Sequence, residues 1–243
     1  MIILIITAVR VKSMDSHRIS GRILAENIAG PGMLRLVEQS MQARIRKASV
    51  AEIAVKERKH PQAALTFDDG PDIRYTPLLL DGLKERNVRV SFFLLGEKVE
   101  QYPELVERMQ KEGHLVGNHT YHHVQLNKLN ETKAREEILK TNNLIYETTG
   151  VYPLYLRPPF GAWKKNLELC VEMLPVFWTI DTLDWKVQNT EKIVHTVQEQ
   201  IEDGAIILMH DEYDTSVEAA LQVVDELKSQ GYELVTVDQL ILP

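Results

Sequence analysis

The sequence has little cysteine, no long apolar run and no excess of positive charge. Its single cysteine, Cys170, excludes an intramolecular disulfide and a zinc site built from several cysteines. Lysine and arginine number 28 against 35 aspartates and glutamates, and the net charge of -7 disfavours a broad nucleic-acid interface. The chain also has no internal repeat and no low-complexity tract. The chain has 243 residues, of which 44% are hydrophobic, so we expect a globular protein with a sizeable core.

The N-terminus carries a short apolar segment. Residues 1–9 are apolar except Thr7, and Arg10 and Lys12 follow. The segment is too short to span a bilayer, which needs roughly 20 apolar residues, and it lacks the charged start and cleavage site of a clean signal peptide. Two readings stay open: a stray strand or buried tail, or the remnant of an export signal or anchor. The second predicts membrane or cell-wall association through the N-terminus and an extracytoplasmic location.

Residues 1–60 differ in pattern from residues 61–243 and are expected to form an N-terminal extension. A turn signal at residues 30–32 precedes apolar residues at helical spacing: Leu34, Val37, Met41 and Ile45. This spacing predicts one amphipathic helix or two short ones within residues 33–58. The charged run at residues 56–61 is typical of a solvated linker. We therefore expect the catalytic domain to span residues 61–243.

Within residues 61–243, short apolar runs alternate with amphipathic helical stretches, a pattern typical of a parallel sheet with helices outside. The expected strands are residues 63–67, 90–95, 115–118, 154–157, 176–180, 205–209 and 233–237. The expected helices are residues 76–86, 103–112, 131–148, 164–174, 191–202 and 216–230, and a glycine follows four of them. The pattern predicts an α/β fold, a barrel-like (β/α)7 arrangement one unit short of the common eight, with an N-terminal helical extension.

Polar residues of the types used in catalysis stand at the ends of the expected strands. In a (β/α) barrel all carboxyl ends of strands open onto one face, where such enzymes keep their active sites. We therefore expect one cleft to collect residues from five strand ends: Asp68 and Asp69, His119 and His123, Arg157, Asp181 and Asp184, and His210 and Asp211.

Two histidines and one aspartate are candidate metal ligands. His119 and His123 would point the same way if residues 118–123 turn helical. Asp69 from another loop would complete a set that leaves positions open for water and substrate. Such ligands suit a divalent first-row ion, with Zn²⁺ preferred and Co²⁺ as an alternative. His122 is an alternative ligand, and surface histidines after a strand would produce the same spacing.

An acid and a base are expected on either side of this ion. Two adjacent carboxylates repel each other unless a cation neutralises one, so Asp69 would bind the metal and Asp68 would be the general base. His210 would protonate the amine that leaves when an amide is hydrolysed, and Asp184 would raise its pKa. The competing readings are a solvent-exposed acidic turn and a structural histidine bonded to a backbone carbonyl.

The segment at residues 157–160 predicts a rigid loop. Pro158 and Pro159 remove two amide donors, so the first free N–H belongs to Phe160, a candidate oxyanion donor. Arg157 would hold Asp68 in its ionised form by pairing with it. An ordinary proline-rich turn with a surface arginine is the competing reading. Aromatic residues that could supply apolar faces for sugar rings are Trp185, Trp163 and Tyr121.

Five segments in one order resemble the signature motifs of the polysaccharide deacetylases of the NodB-homology type, carbohydrate esterase family 4. They are residues 66–70, 119–123, 157–160, 181–185 and 208–211, and the resemblance covers residues 62–243. Phe160 stands where many relatives carry tyrosine. The resemblance implies a distorted seven-stranded barrel in which Asp69, His119 and His123 are the metal ligands. It implies Asp68 as the base, with Arg157 as its partner, and His210 as the acid, with a pKa tuned by Asp184. It also implies that the Phe160 N–H belongs to the oxyanion site and that Trp185 and Leu208 line the groove for the acetyl methyl.

The resemblance predicts a metal-dependent hydrolase that removes N-acetyl groups from a GlcNAc-containing polysaccharide, such as peptidoglycan or a chitin-like polymer, and releases acetate. The expected partner is an N-acetylated polysaccharide or oligosaccharide, and no nucleic acid is expected. Two alternatives stay open. One is an O-acetyl esterase of the xylan type, because the same machinery serves both bonds, and the other is a non-catalytic carbohydrate-binding module. The motifs that carry the resemblance do not extend into residues 1–60.

Overall fold

The computed structural model describes residues 60–163 and 173–241. The expectations for the N-terminal extension therefore lie outside the described residues, as does most of the expected helix at residues 164–174. No helix in the described ranges is long and apolar enough to cross a bilayer.

The described chain forms one parallel sheet of eight strands with helices around it. Along the sheet the order is β5-β4-β3-β2-β1-β7-β6, and β8 pairs with the first residues of β1. The strands are β1 Gln62–Asp68, β2 Ser91–Leu94, β3 Leu115–Asn118, β4 Tyr155–Leu156, β5 Leu174–Pro175, β6 Ile180–Asp181, β7 Ala205–His210 and β8 Glu233–Leu234.

Eight α-helices connect or flank these strands in the described ranges. They are α1 Tyr75–Glu85, α2 Gly96–Gln101, α3 Pro103–Lys111, α4 Glu131–Thr149, α5 Asp184–Val187, α6 Thr190–Gln200, α7 Asp214–Ser229 and α8 Val237–Ile241. Short 3₁₀ turns lie at Leu126–Lys128 and Pro159–Gly161.

Strand β1 shows how the apolar pattern divides the core. Successive side chains of a strand point to opposite faces of the sheet. Ala63, Leu65 and Phe67 belong to the large cluster shared with α1, α3 and α7, whereas Ala64 belongs to a second cluster with Phe93. Thr66 and Asp68 share the face of Ala64 and are also buried. The second face of β1 therefore carries the aspartate to the end of the strand.

Helix ends follow residues that favour them. Asn130 and Asn189 accept hydrogen bonds at the N-termini of α4 and α6 from the backbone N–H of Lys133 and Lys192, each at 2.9 Å. Gly150 ends α4 in the left-handed region, with φ of 71°. Local sequence therefore sets where these helices begin and end.

The predicted α/β fold and distorted barrel are confirmed, with strands curled into a half-barrel. The expected fifth strand at residues 176–180 is wrong in detail, because β5 and β6 flank that segment instead. Its backbone bonds first to β4, where Val176 N–H reaches the Leu156 carbonyl, and then to β7, where Thr179 N–H reaches the Ile206 carbonyl. The last strand is also shorter than expected, since Val237 begins α8.

Candidate active site and metal centre

The carboxyl ends of the strands bring the sequence-predicted residues together. Asp68 ends β1 and lies beside His210 at the end of β7, where the two residues are register partners. Asn118 ends β3 just before His119, and it pairs with Leu156 at the end of β4, just before Arg157. The parallel topology therefore places these groups on one face of the sheet.

Asp69, His119 and His123 form a cluster whose ligand atoms all lie within 4.8 Å of one another. The Asp69 Oδ1 atom is 3.4 Å from His119 Nε2 and 3.5 Å from His123 Nε2. That oxygen is buried and has no hydrogen-bond partner among the described residues. A buried carboxylate oxygen facing two imidazole nitrogens without a partner fits a cation, because an unpaired buried polar atom is otherwise costly.

His119 is prepared as a neutral ligand. Its Nδ1 lies 2.6 Å from the Arg157 carbonyl oxygen, so Nδ1–H donates there and Nε2 is left as the ligand atom. Burial outweighs the charge of Asp69 and lowers the pKa of His119 to about 3. The imidazole is therefore uncharged at neutral pH, as metal binding requires.

The loop of residues 119–123, here named the histidine loop, is not helical, so the condition under which a helix would align its two ligands is not met. Thr120 and His123 have φ of 67° and 55°, in the left-handed region, and these turns bring the rings to 5.0 Å between centroids. His122 is exposed and lies 2.8 Å from Glu137. It points away from Asp69 and does not join the cluster.

Asp68 and Arg157 form a buried pair. Arg157 Nη1 donates to Asp68 Oδ1 at 2.8 Å and to Thr66 Oγ1 at 2.7 Å, and its guanidinium lies over the Phe93 ring. Burial raises the pKa of Asp68, while Arg157 and His210 oppose that rise. Arg157 is fully buried, so the alternative of a surface arginine is wrong.

His210 and Asp184 form the second charged pair. Asp184 accepts from His210 twice, from Nδ1 at 2.7 Å and from the backbone N–H at 2.8 Å. Burial would lower the pKa of His210, but the hydrogen bond and charge of Asp184 prevail and raise it to about 9. The His210 Nε2 atom lies 3.8 Å from Asp69 Oδ2, on the side of the metal cluster.

The remaining predicted site residues lie around this centre with different exposure. Phe160 is 63% exposed, has φ of 59°, and its ring centroid lies 4.6 Å from that of His123. Trp185 on α5 is 49% exposed, directly after Asp184. Leu208 is buried on β7 and pairs with Thr66 and Asp181. Their roles stay predictions.

Two of the three expected sugar platforms pack against other side chains. Tyr121 is buried, its hydroxyl donates to Glu100, and the Lys140 ammonium lies 3.4 Å from its ring centroid. Trp163 is partly buried and packs against the cluster around Leu126. The expectation for Tyr121 is therefore wrong, because its ring is occupied by other side chains.

Two supporting residues, Glu137 and Thr66, were not identified from the sequence, and two expected cleft residues, Asp211 and Asp181, also have supporting contacts. Glu137 accepts from two backbone N–H groups of the histidine loop. Thr66 Oγ1 accepts a hydrogen bond from Arg157 Nη1. Because residues two apart on a strand share a face, the position of Thr66 could have indicated that it lies beside Asp68. Asp211 is buried and accepts from the Thr76 hydroxyl on α1, and burial raises its pKa to about 7. Asp181 caps a turn by accepting from Leu183 N–H.

Comparison with known proteins agrees with this arrangement. Residues 55–176 match the family model described as polysaccharide deacetylase. The chain is 42% identical over 185 residues to the peptidoglycan-N-acetylglucosamine deacetylase PgdA of Listeria monocytogenes. The aligned region covers 76% of this chain and 40% of that protein. It is 40% identical over 186 residues to a peptidoglycan-N-acetylglucosamine deacetylase of Bacillus cereus, covering 74% of this chain and 68% of that protein.

A solved structure shares both sequence and fold. The peptidoglycan deacetylase PdaC of Bacillus subtilis aligns with a TM-score of 0.73 and 42% identity, over 75% of this chain and 91% of that one. The chain spans only about 40% of the length of the Listeria relative. With a matching family model, several relatives above 30% identity and the same half-barrel, the chain belongs to the polysaccharide deacetylase family.

Proposed function

We propose that the protein is a metal-dependent N-deacetylase that hydrolyses the acetamido group of amino sugars in a peptidoglycan-type glycan. One observation carries this proposal. A cluster of Asp69, His119 and His123 lies between a buried carboxylate, Asp68, and an imidazole held by a carboxylate, His210. A base, an acid and a ligand set on one face are the groups that amide hydrolysis needs.

The ligand set suits Zn²⁺, with Co²⁺ as an alternative, because two imidazoles and one carboxylate leave coordination positions open. A divalent cation held there supplies Lewis acidity and lowers the pKa of water. The buried Oδ1 atom of Asp69, which has no partner in the described part of the chain, is the feature that supports a cation in this place.

Asp68 is proposed as the general base. It accepts a proton from the attacking water, whose oxygen forms a bond to the acetyl carbonyl carbon. Arg157 opposes the rise in pKa that burial imposes on Asp68 and fixes one of its oxygens, which leaves Oδ2 on the side of His119, 3.7 Å from Nε2. Phe160 N–H is proposed as a donor to the carbonyl oxygen as charge develops there.

His210 is proposed as the general acid. The C–N bond breaks, the nitrogen takes the proton from Nε2, and acetate and a free amine are released. A pKa of about 9 keeps this imidazole protonated at neutral pH, ready to donate. Trp185 is proposed as an apolar face for a sugar ring and Leu208 as part of the wall around the acetyl methyl.

The substrate and location are proposed from the relatives. The Listeria and Bacillus proteins named above are peptidoglycan deacetylases, and a cell-wall glycan places the enzyme outside the cytoplasm. We therefore propose a peptidoglycan strand or its GlcNAc oligomers as substrate and an extracytoplasmic location.

The test is acetate release from peptidoglycan, GlcNAc oligomers and acetylated xylan. The wild type should release acetate from the first two, lose this activity with a chelator and regain it with Zn²⁺ or Co²⁺. Asp69→Ala should be inactive, whereas His195→Ala, an exposed histidine on α6, should match the wild type. Release from xylan only would favour the O-acetyl esterase, and glycan binding without acetate would indicate a binding module.

A further inference from the structure

Glu137 on α4 holds the histidine loop from outside the metal cluster. Its Oε2 atom accepts from the backbone N–H of Tyr121 at 3.0 Å and of His122 at 2.9 Å, and its Oε1 lies 2.8 Å from His122 Nδ1. The carboxylate is 15% exposed, so these contacts are shielded from water. One side chain therefore fixes two consecutive amides between the two histidine ligands.

The histidine loop needs such support because its backbone is strained. Thr120 and His123 occupy the left-handed region, which disfavours residues with a Cβ. A strained conformation persists only when its surroundings determine it. Hydrogen bonds to a charged acceptor are stronger than those to a neutral one, so the Glu137 carboxylate is suited to offset this strain.

Other contacts fix different atoms of the loop. Thr120 N–H donates to Asn118 Oδ1, while the carbonyls of Thr120 and Tyr121 accept from Gly96 and Glu97. The N–H groups of Tyr121 and His122 are the ones that Glu137 satisfies. Removing its carboxylate would leave both amides without that acceptor and free the segment between the two ligands to rotate.

We propose that Glu137 is a positioning residue that sets the histidine loop for metal binding before the ion arrives. The inference rests on the proposed function, because it assumes that His119 and His123 bind a cation. It goes further in assigning metal affinity to a residue on α4 that touches no ligand atom. Partners that orient ligands typically change metal affinity by about 10–100-fold when removed.

Metal affinity of the full chain tests the proposal. Zn²⁺ is titrated into chelated protein against a competing dye, the absorption spectrum of bound Co²⁺ reports ligand geometry, and amide exchange is followed across residues 119–123 in the metal-free protein. Glu137→Ala should bind Zn²⁺ at least about tenfold more weakly, with an altered Co²⁺ spectrum and faster exchange at Tyr121 and His122. Glu136→Ala, an exposed neighbour on the same helix, is the matched control and should behave as the wild type.

Glu137→Gln keeps the size of the side chain and one acceptor oxygen, so its affinity should fall between those of the wild type and Glu137→Ala. Should Glu137→Ala not fold, Glu137→Gln decides: weaker binding supports the proposal and equal binding overturns it. Wild-type affinity, spectrum and exchange in a folded Glu137→Ala would also overturn it. If the wild type itself binds no metal, the proposed function fails instead.

Discussion

Burial would lower the pKa of His210, and among the carboxylates that oppose this effect Asp184 contributes most. Asp184 is fully buried, accepts two hydrogen bonds from His210 and raises the pKa of its imidazole to about 9. An acid must carry its proton at the working pH, so the protonated form is present below this pKa and is lost as the pH rises through it. With His210 as the proposed acid, we expect this pair to set the alkaline limit of the proposed reaction.

Asp184→Asn removes that charge and should move the alkaline limb of the pH–rate profile down from near pH 9 toward the ordinary histidine value of 6.5. The profile of kcat/KM against pH measures this shift. Asp181→Asn is the matched control, because Asp181 accepts from a backbone N–H and not from a histidine, and it should leave the limb in place. If the alkaline limb of the pH–rate profile does not shift in Asp184→Asn, His210 is not the acid.

Arg157 is expected to stabilise the fold as well as the site. It is fully buried and paired with Asp68, so Arg157→Met would leave a buried carboxylate without its partner and cost about 3–5 kcal/mol of unfolding free energy. Arg86→Met, which breaks the more exposed pair with Asp225, should cost at most about 1 kcal/mol. Denaturant unfolding of both variants measures the difference, and equal losses would contradict the buried pairing.

The residue types in the motifs were enough to predict which side chains share the cleft. They did not predict the packing and hydrogen bonds that position those side chains. The sequence order of Asp68, Asp69, His119 and His210 at strand ends predicted one cleft, because parallel strands end on the same face. The burial of Arg157 against Phe93 was not predictable, since it depends on the packing of distant strands. Glu137 gave no signal either, because a glutamate on a helix is ordinarily a solvated residue.

At the scale of elements, the long helices in the described ranges and the first strands followed their patterns closely, whereas the short helices and the expected strands at residues 176–180 and 233–237 did not. The helix predicted at residues 131–148 is α4, Glu131–Thr149. The short helices α2, α5 and α8 were missed, because helices of four to six residues contain too few turns to show a period. The spacing of His119 and His123 left open whether residues 118–123 turn helical, and two left-handed residues, Thr120 and His123, bring the rings together instead.

Helix α4 offers a test of an element without touching the metal ligands. Asn130→Ala removes the side-chain acceptor for Lys133 N–H and should lower the unfolding free energy by about 1 kcal/mol. Asn130→Asp keeps an acceptor and should cost less. Thermal or denaturant unfolding of the pair measures this, and equal stability of Asn130→Ala and the wild type would show that the cap contributes nothing.

At the scale of the whole molecule, the parallel half-barrel explains why residues 142 positions apart, Asp68 and His210, can share a site: β1 and β7 are neighbours in register. The alternation of strands and helices predicted this architecture. It did not predict that the fifth strand divides into β5 and β6, because that break depends on which neighbours the segment meets, β4 first and β7 afterwards.

The most direct measurement of the central claim is a titration of chelated protein with Zn²⁺, with bound metal and acetate release from a GlcNAc oligomer followed together. Bound metal and acetate release should both rise to a plateau at about one ion per chain, as a site of one carboxylate and two imidazoles requires, and Asp69→Ala should show neither. Acetate release from the fully chelated protein, or the same titration curve in Asp69→Ala, would contradict a metal-dependent reaction at this site.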